Sequence, residues 1–306
     1  MSEPFSTPAA QPPGAWRRLV RNRVAVVAMV LLSAVVFLAI FGPHIFRYSP
    51  EIPTAAKLAE PSGAHFFGTD MNGRDVFSRV IQGARISLIV GLCGALVSFF
   101  IGTTYGLVAG YAGGRTDNLM MRFVEVLHSV PRLIIVIVAI FTFAPRLEKW
   151  LHATVPSIEG YAKIIILILC LGLIEWLSMA RIVRGQVLAL KEQQFVLAAR
   201  ALGQSHARII VRHLLPNLLG VIVVYLTLTI PAVILDESFL SFLGLGINDP
   251  QASWGSLLSD GKNVINPVRS YWWLLLFPAA AMSVTLLALN FLGDALRDAL
   301  DPRARR

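Results

Sequence analysis

The sequence predicts an all-α membrane protein with six transmembrane helices, and three observations carry that prediction. Of 306 residues, 56% are hydrophobic and only 15% charged, with a mean hydropathy of +0.66. Soluble domains carry about 25% charged residues. Six apolar stretches, at 24–42, 86–110, 123–144, 163–181, 217–236 and 271–293, match the roughly 20 residues a helix needs to cross the hydrocarbon core. Lysine and arginine, finally, are concentrated in alternate connections between those stretches, as a positive-inside bias requires.

Residues 1–23 form the first inside segment. Trp16-Arg17-Arg18-Leu19-Val20-Arg21-Asn22-Arg23 has the charge of a signal-peptide n-region. The following apolar run is too long for an h-region and ends at Gly42-Pro43-His44 with no small-x-small cleavage site, so 24–42 is an uncleaved first span. An external segment, 43–85, leads into the main bundle, 86–293. That bundle carries a long inside insert at 182–216, and an inside tail, 294–306, completes the chain.

Orientation follows from the basic residues. The inside set is Arg17, Arg18, Arg21, Arg23, Arg115, Arg122, Arg132, Arg181, Arg184, Lys191, Arg200, Arg208, Arg212, Arg297, Arg303, Arg305 and Arg306. It outnumbers the outside set of Arg47, Lys57, Arg74, Arg79, Arg85, Arg146, Lys149, Lys163, Lys262 and Arg269. Both termini and the insert therefore face the cytoplasm. The net charge of +9 expresses this topology and calls for no nucleic-acid partner.

Within the second span, Gly102, Gly106 and Gly110 recur every four residues, and Gly91 and Ala95 continue the stripe. Small residues on one face let helices approach closely in lipid. The stripe fits tight packing inside this chain or a seam with a second membrane subunit. Pro131, Pro231 and Pro278 lie within or at the ends of spans three, five and six, where proline kinks a helix. Cys93 and Cys170 sit in apolar stretches without Cys-x-x-Cys spacing and read as small core residues.

Enzyme signatures are missing. The nearest approach to a phosphate-binding Gly-x-x-x-x-Gly-Lys-Ser/Thr is Gly255 to Gly261-Lys262-Asn263, with its first glycine one place out and Asn instead of the hydroxyl. It falls in an outside loop and is a chance match. No His-Glu-x-x-His occurs, and of six histidines only His206 and His213 are spaced to share a helix face. Ionisable residues in spans are functional candidates by default. Glu175 in span four is the deepest, and Glu125, His128, Asp236 and Glu237 lie nearer the interface. Glu175, Asp236 and Glu237 are the candidates for a translocation path, although snorkelling or a local pair also accounts for Glu175. So sparse a set of embedded charges, without an inverted repeat of broken helices, argues against a proton-coupled carrier.

The insert is too long for a structureless loop in a compact domain. Ala198, Ala199, Ala201 and Leu202 are helix formers, Gly203 supplies a break or C-cap, Ser205 caps a second helix running to Leu214, and Pro216 ends it. Arg200, Gln204, Arg208 and Arg212 recur every four residues as a polar stripe. Small alanines on the exposed side allow close docking into a partner's groove. A basic amphipathic helix lying on anionic lipid is the competing reading.

The pattern Ala198-Ala199, then Gly203, then Leu215-Pro216 resembles the cytoplasmic "EAA" coupling loop of ATP-binding-cassette (ABC) importer permeases. Leu197 stands where that family has an acidic residue, and His213 stands at its aliphatic position three before the proline, with Leu214 and Leu215 carrying the apolar contact. Phe66-Phe67-Gly68-Thr69-Asp70-Met71-Asn72-Gly73-Arg74-Asp75 followed by Gly83-Ala84-Arg85-Ile86-Ser87-Leu88, and Met179 to Gln186, are similar to segments of peptide-type permeases. Asp236 to Gly246 with Ser253-Trp254-Gly255, and Asn290 to Pro302, are similar to the C-type subunit of oligopeptide permeases. The resemblance covers residues 15 to 303.

That resemblance implies the type I ABC importer membrane-domain fold and a non-catalytic permease subunit of a peptide importer in the bacterial cytoplasmic membrane. It implies as partners a second homologous permease, two cytoplasmic ATPases that hold the ATP and magnesium, and an external solute-binding protein that delivers peptide. No cofactor is implied for this chain. Leu197, Ala198, Ala199, Arg200, Gly203, Ser205, Arg208, Arg212 and Pro216 are the implied ATPase-coupling residues. A dipeptide, nickel or antimicrobial-peptide importer is the nearest alternative, and a stand-alone secondary carrier the alternative of a different class.

Overall fold

A glycine at every fourth position lets the second apolar span lie directly on the fourth, and the remaining helices assemble around that pair. The computed structural model describes residues 15–45, 48–265 and 269–300. Its α-helices are α1 (Ala15–Arg21), α2 (Arg23–Ile45), α3 (Val76–Ala112), α4 (Gly114–Ser129), α5 (Arg132–Thr154), α6 (Ala162–Leu190), α7 (Gln194–Ala201), α8 (His206–Ile209), α9 (Leu215–Phe242), α10 (Trp254–Asn263) and α11 (Trp273–Leu300). Among the described residues no β-strand forms, only an isolated bridge between Thr69 and Asp75. Arg47, Arg303, Arg305 and Arg306 of the charge count, and Asp301-Pro302 of the terminal motif, lie outside the described residues.

Five helical runs are long and apolar enough to cross a membrane: Arg23–Gly42, Val76–Ala112, Ala162–Leu190, His206–Phe242 and Trp273–Leu300. The sixth span differs from its expected form. Instead of one helix over 123–144, α4 and α5 meet at a bend of 79°. The cause is local. Proline bars its predecessor from the helical region, so Val130 is extended (φ −80°, ψ 132°), α4 stops at Ser129, and Pro131 becomes the N-cap of α5. The two halves still follow a common partner. Met121 and Val124 of α4 pack with Trp176, Leu177 and Ala180 of α6, whereas Val136, Ile140 and Ala144 of α5 pack with Ile164, Leu167, Leu171 and Ile174.

The α3–α6 contact resolves the glycine stripe in favour of packing inside the chain. A Cβ on Gly102 would lie 2.6 Å from Met179 Cβ, one on Gly106 2.6 Å from the Ala180 carbonyl oxygen, and one on Gly110 2.8 Å from Val187 Cβ. Gly91 belongs to a different seam, against Ile234 of α9. At 37 residues and 1.5 Å rise, α3 is about 55 Å long, well beyond the roughly 30 Å of hydrocarbon. It begins ten residues before the apolar stretch that announced it, because Asp75 accepts the Ser78 amide (2.9 Å) and caps it at Val76.

That early start serves a polar knot at one end of the bundle. Asp70 accepts the backbone amides of Asn72 and Arg74 (both 2.8 Å) and the Arg74 guanidinium (2.8 Å), and it also pairs with Arg79. Asp249 bridges Arg74 Nη1 (2.9 Å) and Arg79 Nη2 (3.1 Å), and Asp260 lies 3.3 Å from Arg79. Burial alone would push the Asp70 carboxyl up, but the bonds from Arg74 and the charges of Arg79 and Arg74 hold it below the usual range. The resemblance-bearing run Phe66–Asp75 is thus the loop that closes this end. Its Phe67 ring stacks on Phe277 of α11 at 3.9 Å. Gly255 and Lys262, expected in an outside loop, belong instead to α10. There Ser253 and Ser256 form a capping box, and Lys262 donates to the Phe242 carbonyl (2.8 Å).

Gly106→Ala is expected to lower the thermal unfolding midpoint of the purified protein, with a destabilisation of about 1–3 kcal/mol from overpacking. The control is Gly185→Ala on the exposed face of α6, where a Cβ meets nothing within 4 Å. That change should be neutral or slightly stabilising, because alanine is the better helix former. Equal midpoints for the two variants in the same detergent would remove the α3–α6 seam from its central place.

Candidate coupling surface and embedded charge cluster

The insert folds as an elbow. Three residues after α6, α7 begins with its inner face carrying Val196 and Ala199, which pack with Ile209, Leu214, Leu218 and Ile222 and with Met179, Val183 and Val187 of α6. The outer face presents Phe195, Leu197, Ala198, Arg200 and Ala201 to solvent, and Leu202 beyond it is 81% exposed. Ala199 was expected on the docking side with its neighbours. The helical period turns it inward, where it is buried.

Gly203 ends α7 for a backbone reason. Its φ is +73°, and an added Cβ would meet nothing within 4 Å, so conformation and not space selects glycine. The Gln204 amide bonds to the Ala199 carbonyl (3.1 Å) and the Gly203 amide to that of Arg200 (3.0 Å), the two bonds of a Schellman stop. Because the chain reverses here, the expected stripe of Arg200, Gln204, Arg208 and Arg212 is not one helical line. The three arginines are exposed on either side of the turn, and Gln204 instead accepts from the His213 ring (2.9 Å).

Ser205 stands at the N-cap of α8 in extended conformation (φ −64°, ψ 149°), but its side chain makes no capping bond. Pro216 does not end the second arm. α8 passes through a π turn, Ile210–Leu214, straight into α9, and Pro216 occupies the first turn of α9, where its missing N–H is tolerated. The Asn217 side chain donates to the His213 carbonyl there (2.7 Å). Leu214 is fully buried and Leu215 partly so, both on the elbow's core.

Contacts that bind the elbow to the bundle were invisible in the sequence. Tyr111, at the end of α3, places its hydroxyl 2.8 Å from His206 Nδ1, and its ring lies under the Arg200 guanidinium, 5.7 Å from ring centre. Asp117 of α4 holds Arg184 of α6 by two bonds of 2.6 and 2.7 Å. Lys191 donates to the Gly110 carbonyl (3.2 Å), satisfying the end of α3.

The embedded charges form two separate groups. Arg132, counted among the inside-flank residues, sits at the break before α5. Its Nη1 lies 3.3 Å from Glu175 Oε1 and its Nη2 3.2 Å from Asp236 Oδ1. One guanidinium thus serves two carboxylates from α6 and α9. Arg132 and Glu175 line a cavity of about 730 Å³ whose walls include Phe143, Leu173 and Cys170. Glu237 does not join them. It is fully buried, accepts from Ser241 (2.7 Å) and Ser87 (3.2 Å), and so lies within the α3–α9 packing.

Comparison with known proteins places these features in a family. Residues 102–306 match the family described as binding-protein-dependent transport system inner membrane component, and residues 14–61 match the N-terminal TM domain of oligopeptide transport permease C. The chain belongs to this permease family. Its relatives include the dipeptide transport system permease protein DppC of Bacillus subtilis, 47% identical over 296 residues that span 95% of this chain and 86% of the relative. The oligopeptide transport system permease proteins OppC of Haemophilus influenzae (44%, 94% and 88%) and Escherichia coli (43%, 94% and 90%) are similar over comparable lengths. This permease is accordingly a multi-span membrane component of a bacterial ABC importer with the type I membrane-domain fold.

In the permease, the triad of Arg132, Glu175 and Asp236 has an asymmetry that mutagenesis exposes. Glu175→Gln leaves a balanced Arg132–Asp236 pair, so assembled protein and uptake should be largely retained. Arg132→Ala leaves two carboxylates facing each other without a cation and should cost about 1–3 kcal/mol, the low end because the guanidinium is half exposed. The yield of assembled complex and its unfolding midpoint measure both. A greater loss in Glu175→Gln than in Arg132→Ala contradicts the arrangement.

Proposed function

We propose that this chain is one of two membrane subunits of an ATP-driven peptide importer, and that the elbow from Leu197 to Pro216 is where a cytoplasmic ATPase docks. The observation that carries this reading is the elbow itself. It presents exposed Leu197, Ala198, Ala201 and Leu202 together with exposed Arg200, Arg208 and Arg212, on a turn fixed by Gly203. An isolated surface loop has no need of so rigid a base. Here one arm follows α6 after three residues and the other continues into α9 without a break in the helix. A push on the elbow therefore moves two spans as rigid levers, the kind of motion that switches a cavity between two sides of a membrane.

In this reading Leu197 makes a shape contact and no ion pair, because it replaces the acidic residue the coupling loop usually carries. ATP and magnesium belong to the two ATPase subunits, and this chain holds no cofactor. The second permease completes the path, which Glu175, Asp236 and Arg132 border, and an external solute-binding protein delivers the peptide. Both termini and the elbow lie in the cytoplasm, while the Asp70–Arg79 knot faces outside. The relatives bear oligopeptide and dipeptide names, which favours a peptide over nickel as the cargo.

Orientation is tested by a membrane-impermeant thiol reagent in whole cells and inverted vesicles, after both native cysteines are replaced. A cysteine at Ser205 should label only from the cytoplasmic side and one at Ser62 only from outside. The opposite pattern reverses the topology and rejects the docking site.

Gly203→Val tests coupling. A β-branched residue at φ +73° distorts the turn, so peptide uptake and substrate-stimulated ATP hydrolysis in proteoliposomes should both be lost, with the subunit still in the membrane. Normal transport by a fully assembled Gly203→Val complex sinks the proposal, and uptake by this chain alone, driven by a pH gradient, favours a secondary carrier.

A further inference from the structure

We infer that Tyr111 is a positioning residue that ties both arms of the elbow to α3, so that movement of the elbow reaches the knot at the far end of the bundle. The inference rests on the coupling role proposed above. The two arms already have direct routes into the bundle, α7 through α6 and α8 through α9. α3 has no chain connection to the elbow, yet it is the helix that runs from the elbow to Asp70 and Arg79.

Tyr111 supplies the missing link from a single side chain. Its hydroxyl lies 2.8 Å from Nδ1 of His206, the first residue of α8, and the two rings meet edge to face with centres 5.5 Å apart. Its ring face takes the guanidinium of Arg200, the second-last residue of α7. These partners stand on opposite sides of Gly203, so one aromatic side chain spans the turn. The backbone beneath it is equally fixed. Gly110 packs against Val187 and receives Lys191 on its carbonyl. The last turn of α3 therefore touches the end of α6, α7 and α8 together. Rotation of one arm about Gly203 breaks either the hydroxyl bond or the cation–π contact unless α3 follows.

The test is the number of peptides imported per ATP hydrolysed by the complete complex in proteoliposomes. Tyr111→Phe keeps the ring for Arg200 and removes the hydroxyl. It should lower that ratio about fivefold, the worth of one net hydrogen bond. His206→Ala should lower it similarly, and the double variant should be no worse than either single one, as expected for two partners in one bond. Tyr111→Ala, which also forfeits Arg200, should fall further. An unchanged ratio in Tyr111→Phe, or additive losses in the double variant, overturns the inference. So does a parallel drop in uptake and ATP hydrolysis with less complex assembled, because that marks a merely structural residue. Failure of the coupling role itself reads differently, as normal transport in Gly203→Val.

Discussion

Everything in this bundle depends on two backbones meeting at glycine distance. Without side chains at Gly102, Gly106 and Gly110, α3 lies against Met179, Ala180 and Val187 closely enough that any Cβ would collide. In lipid there is little hydrophobic gain from bringing helices together, so contact area and close approach must supply the association. The α3–α6 seam supplies it along most of two long helices, and each then serves as a wall for others. α9 closes one side through Ile234 and Val233 against Gly91 and Gly94. The bent α4–α5 pair lines the other, each half taking its own stretch of α6. The elbow is built on the same seam's end, where Val187 and Lys191 meet Gly110.

The polar groups divide by what surrounds them. At the knot, charges are numerous and interlocked: Asp70 and Asp249 each pair with both arginines. Glu237 is a lone buried carboxylate, but serine hydroxyls from α3 and α9 bond it, which meets the demand that buried polar groups find partners. The triad at the α4–α5 break sets one guanidinium against two carboxylates, and its Arg132 and Glu175 border open volume. The first two tie loops and helices together, whereas the third opens onto a cavity of about 730 Å³.

Much of this was legible in the chain itself. Hydropathy located five spans, because uninterrupted apolar runs have few other solutions, though their helices run up to about ten residues beyond the apolar stretches. Gly203 announced its turn through chemistry that is local to one residue. What escaped notice was long-range or masked by averaging. The 123–144 window averages over Pro131, so a bent pair reads as one span. Arg132 looks like a flanking charge because its two partners lie 43 and about 100 positions away. Tyr111 and His206 are 95 residues apart, with no pattern to join them. α10 hid in a polar connection, although Ser253-Trp254-Gly255-Ser256 carried its cap in plain sight. Ala199 faces inward although its motif neighbours do not, because residues three apart share a helical face and buried Val196 precedes it by three.

The π turn at Ile210–Leu214 has a geometric meaning of its own. Five residues there do the work of about four, so everything downstream is rotated by roughly 100° relative to an unbroken α-helix. Upstream lie Ala207 and Arg208, which are exposed, and downstream lie Leu218 and Ile222, which face the elbow's core. The extra residue acts as a phase shifter between the exposed arm α8 and the shaft α9, which must suit its own neighbours. Each can then change its contact pattern without forcing the other off its helical face.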